Sequence, residues 1–142
     1  MTLRIGFDYH GCLDAKPELF SELTKLLKDN GHEVHVLTGS MESDEIHKEL
    51  KSLGIHYTHF FSVSDYNKEI GTKMWFSEDG NPWMDEESWN KTKGEYCKRH
   101  DISLHLEDTI EYFDHFTTPI CRFYSKHIPK KVREIVLPID ET

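Results

Sequence analysis

Basic charge is scarce in this chain. Lysine and arginine number 17 against 26 aspartates and glutamates, a formal net charge of −9, with the acids spread along the sequence rather than gathered in a tail. Such a surface opposes binding to a nucleic-acid backbone or an anionic membrane. It leaves room for a small anionic substrate where a metal and a few local cations offset the field. Cysteine is equally sparse: Cys12, Cys97 and Cys121 form no C-x-x-C pair. A disulfide framework or a cysteine-held zinc is therefore not expected, and the reducing cytoplasm is the expected compartment. The opening apolar stretch is far too short for a signal peptide or a membrane span. Internal repeats, low-complexity tracts and linkers are missing too. What remains, 142 residues with 12% aromatics, argues for one domain over residues 1–142 with a real core.

The organising stretch is Leu3-Arg4-Ile5-Gly6-Phe7-Asp8, a short apolar strand ending in a carboxylate, followed by a turn with a glycine at Gly11. A carboxylate there either serves chemistry as a nucleophile or hard-metal ligand, or merely caps the turn after the strand. Pro17 then starts a helix whose Leu19, Phe20, Leu23, Leu26 and Leu27 recur at helical spacing, with Gly31 closing it. Residues 33–37 read as a second strand tipped by Thr38-Gly39-Ser40. Ile46, Leu50 and Leu53 mark a second helix, and residues 57–61 a third strand. Lys73-Met74-Trp75-Phe76 and Asn81-Pro82-Trp83-Met84 flank Asp79-Gly80 as a hairpin, with Pro82 confining its strand to an edge. Helix resumes after Asp85 to about His100, strand at residues 103–106 up to Glu107-Asp108, and strand again at 120–124. Residues 132–137 are amphipathic and unassigned. The β-α-β-α-β opening predicts an α/β fold, a Rossmann-like three-layer sandwich with a mainly parallel sheet and a short β-hairpin insertion over about residues 65–90.

In a parallel sheet the tips carrying Asp8, Thr38 and Glu107-Asp108 share one edge, where Lys91 or Lys93 from the entering helix can join them. Two carboxylates make an oxygen-rich Mg²⁺ site, and a hydroxyl and an ammonium can hold phosphate oxygens.

The run Phe7-Asp8-Tyr9-His10-Gly11-Cys12-Leu13-Asp14 resembles the first motif of the haloacid dehalogenase-like superfamily, D-x-D-G-T/V. Val36-Leu37-Thr38-Gly39 is similar to its second motif, Lys93 (or Lys91) to its third, and Leu106-Glu107-Asp108-Thr109 with Glu111 to its acidic fourth, over roughly residues 3–124. The resemblance implies a Mg²⁺-dependent phosphomonoesterase in which Asp8 becomes transiently phosphorylated. It assigns Mg²⁺ to Asp8, Asp108 and the backbone carbonyl of His10, with Glu107 a further ligand through water or an orienter. Thr38, Gly39 and the lysine would hold the phosphoryl group of a small phosphorylated substrate, a nucleotide among the candidates. Residues 41–90, where the family inserts its larger caps, leave no room for a separate cap domain, which implies an open site.

His10 departs from that pattern. Family phosphatases carry an aspartate there as acid and base; family dehalogenases carry a tyrosine and need no metal. An imidazole is suited to general acid–base work, so His10 is expected to protonate the leaving group. The alternative is a catalytically reduced module that binds a nucleotide, phosphate or protein. Cys12 reads as a small turn residue. Ten histidines without H-E-x-x-H spacing argue against a second metal, His56 and His59 being the nearest candidates. Trp75, Phe76 and Trp83 either stack on a substrate or, as favoured, pack against the sheet or the helix of Trp89. Lys126, Lys130, Lys131 and Arg133 read as a solvated face.

Overall fold

The computed structural model describes residues 1–124; the 132–137 segment and the Lys126–Arg133 cluster lie outside the described residues. The first strand, β1 (Arg4–Asp8), is buried beyond Arg4, as a strand covered on both faces must be. A wide turn, Tyr9–Leu13, comes next; in it Gly11 takes φ 89° and donates its amide to Asp14 Oδ1 at 2.8 Å. The helix α1 (Pro17–Asp29) has its proline in the first turn, where no intrahelical N–H is required. Then come β2 (Glu33–Thr38), α2 (Asp44–Ser52), β3 (His59–Ser62), α3 (Val63–Glu69), β4 (Met74–Phe76), β5 (Pro82–Met84), α4 (Glu86–Arg99), β6 (Leu104–Glu107), a 3₁₀ turn at Ile110–His115 and β7 (Ile120–Arg122). Ser43 and Asp85 cap α2 and α4 by accepting the amides of Ile46 and Ser88.

Five strands form one parallel sheet in the order β3-β2-β1-β6-β7, and β4-β5 form a separate antiparallel pair. The α/β class and parallel sheet expected from the sequence are present, in an arrangement compatible with a Rossmann-like sandwich. The period-2 alternation sorts the strands into two faces. Ile5, Phe7, Val34 and Val36 pack with Phe20 of α1 and with Ile46 and Leu50 of α2. Leu37 packs on the other face with Tyr96 and Cys97 of α4. The alternation puts Gly6, Asp8, His35, His105 and Glu107 on that second face, under α4. Because β1 is flanked by β2 on one side and β6 on the other, the carboxyl ends of β1 and β6 border the point where strand order reverses, the usual ligand crevice of open α/β sheets.

Three local readings are corrected. The third strand begins at His59 rather than residue 57, because the Thr58 hydroxyl takes the Val34 amide at 2.9 Å in place of a ladder carbonyl. His56 accordingly lies in the preceding loop, its amide on Thr24 Oγ1. The strand at residues 120–124 ends at Arg122. A helix unassigned in the sequence, α3, comes directly after β3, capped by Ser62 on the Asp65 amide. The hairpin stands where Asp79-Gly80 put it, with Trp75 paired to Trp83 and Gly80 at φ 84°. Trp75 and Phe76 are not buried as favoured, each being half exposed, while Trp83 is half-buried and Met84 is buried.

Candidate functional site

At the carboxyl edge of the sheet one lysine joins two carboxylates. Lys93 Nζ, carried two turns into α4, donates to Asp8 Oδ1 at 2.7 Å and to Glu107 Oε1 at 3.0 Å. All three residues are at most 4% exposed. Of the two candidate lysines, Lys93 is the one whose ammonium reaches Asp8; Lys91 is half-buried. Asp108 completes the acidic group: one oxygen each from Asp8, Glu107 and Asp108 lie within 4.8 Å of one another.

The three carboxylates are not equivalent. Glu107 is fully partnered, with Oε1 taking both Lys93 and His105 Nε2 at 3.0 Å, and Oε2 taking the Thr109 amide at 3.4 Å. Burial alone would raise its pKa, but Lys93 and His105 outweigh that and hold it at about 2. Asp8 goes the other way: burial and the neighbouring Glu107 charge push its pKa well above the usual carboxylate range, and Lys93 opposes them without prevailing. Burial likewise raises Asp108, whose Oδ1 accepts the Thr109 hydroxyl at 3.1 Å. Burial by itself would lower Lys93, yet Asp8 and Glu107 raise it well above an ordinary lysine. Its two carboxylate partners thus favour the charged ammonium, which among the described residues is one cation beside three acids.

That imbalance is the test of whether the residues fit a metal. Asp8 Oδ2 is buried and, among the described residues, has no hydrogen-bond donor. A donorless carboxylate oxygen facing a second carboxylate is unfavourable unless a proton or a cation lies between them. Asp8 and Asp108 therefore fit a hard divalent cation, with Glu107 Oε1 engaged in orienting the lysine and Oε2, on the Thr109 amide at 3.4 Å, its more weakly held oxygen. The turn is shaped for close approach: a Cβ on Gly11 would stand 2.1 Å from Asp108 Oδ2.

Thr38 ends β2 beside this group, 1% exposed, with its Oγ1 accepting the Ser40 amide at 3.2 Å. The next carbonyl, Gly39 O, accepts the Ser64 hydroxyl of α3 at 2.5 Å. Gly39 has no space for a side chain, since its Cβ would meet the Trp89 ring at 2.2 Å. Trp89 donates its indole N–H to Tyr112 Oη at 2.6 Å, and the Tyr112 ring lies 5.1 Å from Lys93 Nζ. A wall of Trp89 and Tyr112 thus closes one side of the site and steadies the lysine.

His10 is held within the turn after β1. Its Nδ1 is 3.0 Å from Asp14 Oδ2, and its ring stacks on Tyr9 at 4.3 Å. Cys12 is fully buried, its thiol pKa raised first by burial and then by Asp8, which suits a turn residue and not a nucleophile. Glu111 is exposed on the 3₁₀ turn.

Sequence reasoning missed His105 and Tyr112. His105 is fully buried between Gly6 and the Phe116 ring, with burial favouring its neutral form, Nε2 on Glu107 and Nδ1 against Gly6. The alternation His105-x-Glu107 on one strand face was the available signal. Compared with family models and with curated proteins, the chain matches none.

Proposed function

We propose that the protein is a Mg²⁺-dependent phosphomonoesterase that works through a phosphorylated Asp8. The observation that carries this reading is the Lys93 ammonium held between Asp8 and Glu107 at the crevice, beside an Asp8 oxygen with no donor among the described residues. In the forward step an Asp8 carboxylate oxygen forms the bond to phosphorus as the ester oxygen departs and takes a proton. Lys93 and the Thr38 hydroxyl bind the equatorial phosphoryl oxygens, offsetting the charge spread over them in transfer. A water then attacks the aspartyl phosphate, giving inorganic phosphate and returning Asp8. Asp8, Asp108 and the His10 carbonyl would hold Mg²⁺, which neutralises phosphoryl charge when bound.

His10 is the acid and base of this scheme, with Asp14 fixing its Nδ1 so that Nε2 carries the exchangeable proton. Trp89 and Tyr112 exclude water on one side. The substrate of this reading is a small phosphorylated molecule such as a nucleotide; without a cap domain over residues 41–90 the site would also admit bulkier phosphomonoesters. A rival reading, a binding module on the same site, is favoured by the engagement of His10 with both Asp14 and Tyr9. Turnover of a generic aryl phosphate with and without Mg²⁺, with Asp8→Asn as the blank, decides between them. Mg²⁺-dependent turnover lost in Asp8→Asn supports the enzyme; phosphate binding without turnover supports the module.

A further inference from the structure

At the opposite, amino-terminal end of the sheet a second set of ligand atoms converges. Glu33 opens β2, His35 stands two residues later on the same face, and His59 opens β3 directly opposite His35 in the parallel register. One ligand atom from each of the three lies within 4.8 Å of the others. His35 Nε2 is 2.8 Å from Glu33 Oε1, and His59 Nδ1 is 4.0 Å from that same oxygen. The two imidazoles lie parallel, 4.1 Å apart. With about 3.3 Å of strand per residue, His35 stands roughly 10 Å and Glu33 roughly 16 Å along β2 from the Thr38 tip. The group owes nothing to the hydrolase reading.

His35 is a built ligand. It is 1% exposed, and α4 fixes its ring through Tyr96 Oη, 2.7 Å from Nδ1. Against a carboxylate the Nε2 carries the proton and Nδ1 accepts from the phenol. If Nε2 binds a cation instead, the proton moves to Nδ1 and donates to the same phenol oxygen, because a tyrosine hydroxyl can serve either way. An outer partner that fixes ring and tautomer is what histidine metal ligands use. Burial holds His35 neutral, while the hydrogen bond from His35 keeps Glu33 ionised. Arg4 Nε takes the other Glu33 oxygen at 3.4 Å, leaving Oε1 directed at the imidazoles.

The geometry points to a second metal site, in which Glu33, His35 and His59 hold a zinc-class divalent cation and tie the edge strand β3 to β2. Two imidazoles and one carboxylate suit a borderline ion such as Zn²⁺ and not Mg²⁺. Tetrahedral zinc ligand atoms stand about 3.4 Å apart. His59 and Glu33, with side chains 47% and 31% exposed, close that spacing by rotating around the fixed His35, the His59 ring turning off its stack and Nδ1 leaving the Thr58 hydroxyl 2.8 Å away. Water or His100, whose ring centroid is 6.4 Å from that of His35, completes the shell.

The test is a Zn²⁺ titration of the full chain against a chromophoric chelator in excess Mg²⁺, on parent, His59→Ala and Glu33→Gln. The parent is expected to take one zinc with two imidazole nitrogens in its X-ray absorption spectrum. Both variants should weaken it by more than about tenfold. Zinc should also raise the parent's melting temperature and leave that of His59→Ala unmoved, since His59 is exposed and its loss leaves the fold intact. Zinc binding equal in parent and variants, or no zinc bound by the parent at micromolar concentration, overturns the assignment.

Discussion

Gly11 and Asp108 meet without room for a methyl group: a Cβ on Gly11 would sit 2.1 Å from Asp108 Oδ2. Gly11 also adopts φ 89°, a conformation that costs a side-chain-bearing residue roughly 1–2 kcal/mol. The turn after β1 and the acid after β6 are therefore fitted to each other, from positions 97 residues apart in the sequence. Gly11→Ala is expected to displace the Asp108 carboxylate and weaken Mg²⁺ binding by at least about tenfold, while far-ultraviolet circular dichroism stays that of the parent. Unchanged Mg²⁺ affinity in this variant, measured calorimetrically, would remove Asp108 from the metal site.

Among the described residues Lys93 is the one ammonium joined to two buried acids, Asp8 and Glu107, with the half-buried Asp108 beside them, so its removal should be costly and pH-dependent. Lys93→Met is expected to lower stability by about 3–5 kcal/mol at neutral pH, the range for stripping one partner from a buried ion pair. In the parent, Glu107 is held at about 2 against an ordinary 4.5. Its stabilisation is therefore present above 4.5 and lost as pH falls through about 2. Without Lys93 that carboxyl takes up a proton at higher pH, so the deficit should shrink as the solution is acidified from neutral. Urea denaturation at several pH values measures it; a deficit independent of pH contradicts the charge argument.

The sign is opposite at Asp8. Its folded pKa is raised well above 3.8, first by burial, so its contribution to stability is present below the unfolded value and lost as pH rises through the folded one. Mg²⁺ must displace that proton. Its affinity is expected to rise as the pH is raised from the ordinary carboxylate range to neutral, with protons released on binding wherever Asp8 still holds one. Calorimetry in buffers of differing ionisation enthalpy counts the protons. Affinity flat across that window would mean that Asp8 and Asp108 do not hold the ion.

The pieces that were legible in the sequence are those whose chemistry is local to a strand end. Asp8, Thr38 and Glu107-Asp108 each come after an apolar run, and a parallel sheet brings such ends together whatever the register. The choice of Lys93 over Lys91 was not fixed until the roll of α4 over the second sheet face was known. His105 was hidden because its role depends on pairing opposite Gly6, which leaves space for an imidazole. Glu33, His35 and His59 converge only through the β2–β3 register, over a separation that no spacing motif spans. The start of α3 was visible in Ser62-x-x-Asp65 but was masked by the aromatic run before it.

The last prediction concerns His10, the residue that separates enzyme from binding module. In the proposed scheme its Nε2 gives a proton to the departing oxygen, so its value depends on how poor that leaving group is. His10→Ala should lower turnover of an alkyl phosphate by roughly 10²–10⁴. An activated aryl phosphate needs little protonation as it leaves, and its turnover should fall far less. Asp14→Asn offers a subtler variant, because the amide can no longer accept as a carboxylate does and His10 loses its orientation. It should reproduce the same leaving-group dependence in weaker form. Equal losses on both substrates would make His10 a structural residue of the turn, stacked on Tyr9. Activity gained on His10→Asp in an otherwise silent parent would show that the chain binds phosphate on an enzyme's scaffold and that the imidazole had replaced the acid.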